Sequence, residues 1–134
     1  GDGFDVLRGT ARVRDEHGAD LTEKMLDGAR AMLACARAEQ AELAVLTDAS
    51  AACGSQVISL GCRLAAERRH QKGVGVATAM LLEAGLPVVS QRDFRTLARL
   101  RARLEPGWTP PSEVRDHHEH PWTLAHLPGP HPRA

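Results

Sequence analysis

The chain has 134 residues, seventeen basic and seventeen acidic for a formal net charge of zero, and is 43% hydrophobic and 25% charged. That is enough for one domain with its own core, and a composition ordinary for a globular protein. Balanced charge gives no support to general nucleic-acid or membrane affinity, and three cysteines at irregular spacing do not make a disulfide framework. With no signal peptide and no apolar run long enough to span a bilayer, a reducing cytoplasm is the expected compartment. The chain opens on Gly1-Asp2-Gly3 without an initiator methionine, as a processed or excerpted piece would.

Residues 4–14 carry short alternating apolar positions around Gly9 and suit a loop with a brief strand, followed by turn chemistry from Asp15 to Gly18. Asp20 then opens the clearest helix. Its carboxylate can cap, Glu23 fits a capping box, and Leu21, Met25, Ala29, Met32, Leu33 and Ala36 recur at helical spacing. Cys35, near that helix's end, reads as a small packing residue.

The stretch from Leu43 to Ser55 is the one around which the chain is organised. An apolar run, Ala44 to Leu46, stops at polar residues and delivers a tight loop in which Cys53 stands among small side chains. In α/β proteins the loop beyond a strand's carboxyl end is where ligands bind. Ala51, Ala52 and Gly54 would let a planar or inorganic group approach the backbone closely. The competing reading, which spacing alone favours, is a buried inert cysteine, since a single cysteine is no ligand set.

Val57 to Leu60 reads as a short strand or part of the loop, and Gly61 to Lys72 as an Arg-rich loop or irregular helix. The cluster Arg63, Arg68, Arg69, His70 and Lys72 is more in keeping with a solvated run than with an anion site. Gly73-Val74-Gly75 leads into a helix from Val76 to Ala84 that is apolar nearly all round, hence buried, closed by Gly85 and stopped by Pro87. Such a start either offers unpaired N–H groups to an anion or polar ligand edge, or uses its glycines for tight helix–sheet packing. Thr78 stands where a dinucleotide fingerprint needs its third glycine, so that motif is not supported.

Leu86 to Ser90 is a second short strand. Residues 92–104 form an amphipathic helix with Phe94, Leu97, Leu100 and Leu104 inward and arginines mostly outward. Few aromatics accompany those arginines, and Asp93 and Glu105 dilute them, so a solvated face is expected rather than a nucleic-acid surface. From Glu105 onward proline, histidine and glycine dominate and the tail should be extended or partly disordered. His117-His118-Glu119-His120 in it would take a divalent transition metal adventitiously. The order of elements argues for an α/β fold with a small parallel sheet and helices on its faces, in a Rossmann-like three-layer arrangement. Residues 1–104 form the domain and residues 105–134 the Pro/His-rich tail.

Taken in order, Gly1-Asp2-Gly3, Val6 to Val13, Asp20-Leu21-Thr22, Gly28-Ala29, Ala44-Val45-Leu46, Ser50 to Ser55, Gly73 to Ala77 and Gly85 to Ser90 resemble the C-terminal two-thirds of the thiouracil desulfurase family, as far as about Leu97. The resemblance implies removal of sulfur from thiolated pyrimidines such as 2-thiouracil, at a 4Fe–4S cluster held by three cysteines with one iron open. Thiolate suits cluster iron, and an open iron can take soft sulfur as a Lewis acid. It implies that Cys53 is a cluster ligand, the metal- and cofactor-binding residue. Ser50 falls on the first serine of the family's Ser-Pro-Ser-Cys-Gly motif and is the catalytic candidate, orienting substrate or a proton. Gly54 and Ser55, with Gly73 and Gly75 at the helix start, are the substrate-binding candidates.

Departures from the family pattern shape the expectation. The first two cluster cysteines and an acidic proton-transfer residue belong to an N-terminal segment that this chain is expected to lack. Ala51 and Ala52 replace the motif's proline and second serine, and Cys35 and Cys62 match no cluster position. A 4Fe–4S cluster is therefore expected only where the missing cysteines are supplied, and no catalysis is expected from the chain as it stands. The alternative is a non-catalytic member of the same fold that binds a small molecule or another protein. The partner is a thiolated nucleobase or none, without membrane or nucleic acid, in a bacterial cytoplasm; a homo-oligomer is left open.

Overall fold

One helix sets the core. α3 (Val76–Glu83) buries Val76, Ala77, Thr78, Ala79 and Leu81, as its all-round apolar sequence requires. The structure, a computed structural model, describes residues 1–62 and 65–130. α1 (Gly3–Leu7) and α2 (Thr22–Ala38) both pack on α3, so Val6, Ala29, Val76 and Ala77 form a cluster ringed by Leu7, Val13, Met25, Leu26, Met32 and Met80. Leu81 is fully buried, and burial of such a side chain contributes about 1.5–3 kcal/mol.

The opening residues are helical, where a loop and strand were expected. Asp2 and Asp5 form a reciprocal capping box for α1, and Arg14 makes only an isolated antiparallel bridge with Asp20. The Gly3 N–H donates to the Val74 carbonyl at 2.6 Å. A Cβ on Gly3 would lie 2.4 Å from the Gly75 oxygen, so only glycine lets α1 seat there. α2 begins at Thr22 with Leu21 at the cap position. Asp20 accepts from the Thr22 N–H at 2.9 Å, one residue earlier than a capping box needs.

β1 (Ala44–Leu46) pairs in parallel with β4 (Val88–Ser90), Ala44 opposite Val88 and Leu46 opposite Ser90, with α3 between them in the chain. β2 (Val57–Leu60) and β3 (Arg69–Lys72) form an antiparallel pair. The second half of the Arg-rich stretch is thus a strand, not a loop or irregular helix; Arg63 lies outside the described residues. The fold is mixed α/β with a small parallel sheet. Among the described residues no helix is long and apolar enough to cross a membrane.

α4 (Phe94–Leu104) buries Ala98 and half-buries Leu97 and Leu100. Phe94 and Leu104 are 57% and 81% exposed, which corrects their inward placement. Beyond α4 the tail is not extended. A 3-10 turn at His117–Glu119 and α5 (Pro121–His126) dock back on the domain, with Asp116, His117, Thr123 and Leu127 buried. Polar anchors hold it there. Asp116 accepts the Thr96 N–H at 2.8 Å and the Thr96 hydroxyl at 2.7 Å, Glu119 pairs with Arg95, and Lys72 donates to the Gly129 carbonyl.

Candidate ligand cavity

Beyond the carboxyl end of β1 the chain turns through Asp48 and Ala49, and Ala49 takes a left-handed φ of 57°. A non-glycine residue there carries strain of order 1 kcal/mol, which its surroundings must hold. Asp48 is what holds it. One of its carboxylate oxygens, Oδ1, accepts the N–H groups of Val57, Ser55 and Gln56 at 2.9, 3.1 and 3.2 Å, which wraps the loop around a buried anion. Its other oxygen meets His117 Nδ1 at 2.7 Å. Burial pushes the Asp48 carboxyl up, but the hydrogen bonds from His117, Val57 and Gln56 outweigh it and leave it below the ordinary value.

A second buried carboxylate extends the network. Asp93 accepts from Gln56 Nε2 at 2.7 Å and from the His117 main-chain N–H at 3.1 Å through one oxygen, and from the Ser90 N–H at 3.0 Å through the other. The end of β4, the loop after β1 and the tail are thereby tied at one point.

A cavity of about 1050 Å³ opens against this point, at the top of the range of about 300–1,000 Å³ usual for small-molecule sites. The loop after β1 supplies Asp48 and Ser50 to its wall, and the β2–β3 pair supplies Ser59, Arg69 and His70. Cys62 and Arg92 close further sides, and the tail contributes His117 and Trp122. The Trp122 ring stacks on His126 at 5.1 Å and meets His70 edge-on at 5.7 Å. The rim is cationic, the buried acid being already paired.

The candidates named from sequence divide between two places. Ser50 lines the cavity, and its hydroxyl also accepts the Cys53 N–H at 3.1 Å. The other five do not line the cavity. Cys53 is half-buried, and its carbonyl accepts the Thr78 hydroxyl at 2.7 Å. Gly54 and Ser55 are buried, and a Cβ on Gly54 would sit 2.1 Å from the Val57 oxygen. The Gly73 N–H reaches Gln56 O at 3.0 Å and the Gly75 N–H reaches Gly54 O at 2.7 Å. A Cβ on Gly75 would meet the Ala52 carbonyl at 2.4 Å. At the start of α3, the Val76 N–H goes to Ala51 O, and those of Ala77 and Thr78 go to Ala52 O. The donors that a helix start offers an anion are here taken up by the loop.

The thiols do not assemble a cluster site. Cys35 is exposed on α2, Cys53 is in the loop and Cys62 is on the cavity wall. Among the described residues the group of three that comes within ligand distance is Asp93, Asp116 and His118, without a cysteine. Two of its members already spend carboxylate oxygens on backbone N–H groups. The residues of this chain by themselves do not fit a three-thiolate iron site.

Residues 3–93 match the family model described as 2-thiouracil desulfurase. The chain belongs to that family. It is 35% identical over 97 residues to the uncharacterized protein YbbK of Bacillus subtilis (strain 168), an alignment covering 72% of this chain and 62% of that one. It is also similar to the solved structure of a 4Fe–4S-dependent thiouracil desulfidase, TudS, at 31% identity and a TM-score of 0.57 over 70% of this chain and 60% of the other. The chain thus spans about three-fifths of the length of these two relatives. The family match ends at Asp93, so His117 and Trp122 reach the cavity from beyond it. Reading the family motif alone finds Ser50 and Cys53 but neither His117 nor its partner Asp48.

Proposed function

We propose that this chain is the ligand-binding part of a desulfurase-like site. It holds a thiolated pyrimidine such as 2-thiouracil in the cavity at the end of β1, and sulfur removal follows only where a 4Fe–4S cluster is completed around Cys53 by thiolates other than its own. Membership of the family supports the substrate class. The observation that carries the reading is the cavity itself: it lies at the carboxyl end of a strand of the parallel sheet, within reach of the family's serine position, Ser50.

The wall suits a small polar heterocycle. Arg69 and Arg92 present guanidinium N–H donors to exocyclic oxygen or sulfur, Ser50 and Ser59 can donate or accept, and Trp122 adds an aromatic surface. The dispersal of Cys35, Cys53 and Cys62 favours binding without turnover in this chain alone. The setting we propose is the bacterial cytoplasm, where thiolate is kept reduced.

Calorimetric titration with 2-thiouracil and with uracil, under anaerobic conditions, tests binding. Saturable binding of 2-thiouracil, with weaker binding of uracil, is expected. The same protein incubated with iron and sulfide should stay colourless and release no sulfide from 2-thiouracil. Absence of any 2-thiouracil binding would refute the reading, and a brown, active product would refute its second half.

A further inference from the structure

The tail beyond the family match carries the group best placed to act on a ligand in the cavity. His117 is only 4% exposed and stands on the cavity wall. Its position is fixed from three directions. Its main-chain N–H is held by Asp93, its ring by Asp48, and the flanking residues Asp116 and Glu119 are tied to Thr96 and Arg95 on α4. Such a side chain is preorganised; a ligand meeting it has no rotamer freedom left to freeze.

The tautomer follows from Asp48. With one oxygen taken by four backbone N–H groups, those of Ala49, Ser55, Gln56 and Val57, Asp48 is an anion and acts as acceptor alone. At 2.7 Å from the other oxygen, Nδ1 of His117 carries the proton and donates it. Nε2 is then the nitrogen left for the cavity, and in the neutral ring it is an acceptor. A thiolated pyrimidine has a ring N–H flanked by carbonyl or thiocarbonyl groups. The arginines of the rim answer the latter as donors, and the former needs an acceptor, for which the pinned His117 ring is more firmly placed than the rotatable hydroxyls of Ser50 and Ser59.

We infer that His117 is the ligand-contacting acceptor of the cavity, taking a ring N–H of a cyclic amide or thioamide on Nε2, with Asp48 as the positioning residue that fixes its tautomer. The assignment rests on the proposed thiolated-pyrimidine reading. It adds to it a specificity rule: ligands alkylated at that ring nitrogen are rejected.

Long-range ¹⁵N–¹H NMR of the histidine rings in the full chain, titrated with 2-thiouracil, tests it. His117 should show the Nδ1–H tautomer, and its Nε2 resonance should move together with the signals of Ser59 and His70. H117N keeps an amide donor toward Asp48 and removes the cavity-side nitrogen. It should melt near the wild-type temperature and bind 2-thiouracil up to about tenfold more weakly, the worth of one hydrogen bond. D48N should shift the His117 spectrum toward the Nε2–H tautomer and weaken binding similarly. If 2-thiouracil moves Ser59 and His70 while Nε2 of His117 stays still, and H117N binds as the wild type does, His117 is structural only and the inference falls. If no cavity signal moves, the thiolated-pyrimidine reading falls and takes this one with it. The wild-type Nε2 measurement decides the matter even if a variant fails to fold.

Discussion

Replacing Asp48 by alanine removes the acceptor around which the loop after β1 is built. Three buried N–H groups, those of Ser55, Gln56 and Val57, lose their partner at once, and His117 loses the acceptor of its ring N–H. Each stranded buried donor costs about 1–3 kcal/mol before the loop relaxes. Allowing for relaxation, the loss is about 3–6 kcal/mol, a large share of the roughly 5–15 kcal/mol that holds a domain folded. D48N keeps shape and one acceptor oxygen, so it should lose only about 1–2 kcal/mol. Urea unfolding at neutral pH reads both, and with a slope of about 1–3 kcal/mol per molar the D48A midpoint should fall by more than about 1 M. The pH dependence gives a second check. The folded Asp48 carboxyl lies below its ordinary value, because its hydrogen bonds outweigh the opposing effect of burial. Its ionised form therefore contributes stability that is complete above the unfolded value of about 3.9 and is lost as pH falls through the folded one. The gap between wild type and D48N should narrow below about pH 4. A D48A protein within about 1 kcal/mol of wild type would refute the account of the loop as folded on a buried anion.

Two further outcomes are expected. G75A puts a methyl 2.4 Å from the Ala52 carbonyl, which is backbone and cannot swing away; a loss of about 1–3 kcal/mol or more is expected, and an unchanged thermal midpoint would contradict the packing. D116A deletes both hydrogen bonds from Thr96 to the tail; hydrogen exchange at the Leu124 and Leu127 amides should accelerate while the α3 amides stay protected, and equal acceleration in both would show that the tail does not open separately.

The elements with a strong apolar period were legible. The α2 stripe, the all-apolar α3 with Gly85 at its end, and the short strands at Ala44 to Leu46 and Leu86 to Ser90 stand close to where the pattern put them. α1 was missed because it is a five-residue helix whose signal, the Asp2–Asp5 capping box, alternating apolar residues obscured. β3 was missed because Arg69-His70-Gln71-Lys72 has no apolar alternation; it is a strand because β2 pairs with it. In α4 the inward stripe was half right: Leu97 and Leu100 are half-buried and Ala98 takes the buried position, while Phe94 and Leu104 face solvent. Of the cavity, the sequence exposed Ser50 through its motif. His117 stood out only as part of a His-rich run read as an adventitious metal binder, since the residue that gives it its place lies 69 positions away.

That distance explains why the tail folds at all. A segment rich in proline and histidine cannot offset its ordering entropy with apolar burial, and only Thr123 and Leu127 are buried within or just after α5. What draws it in is the unfinished valence of the domain: Asp48 has an oxygen to fill, the N–H and hydroxyl of Thr96 need an acceptor, and Arg95 needs an anion. His117, Asp116 and Glu119 answer these within four residues of sequence. A buried polar network is worth most when every member is satisfied, and a half-satisfied one is worse than none. The loop that carries the family's serine and cysteine therefore reaches its ordered form together with a segment outside the family match. The cavity is a joint product of both.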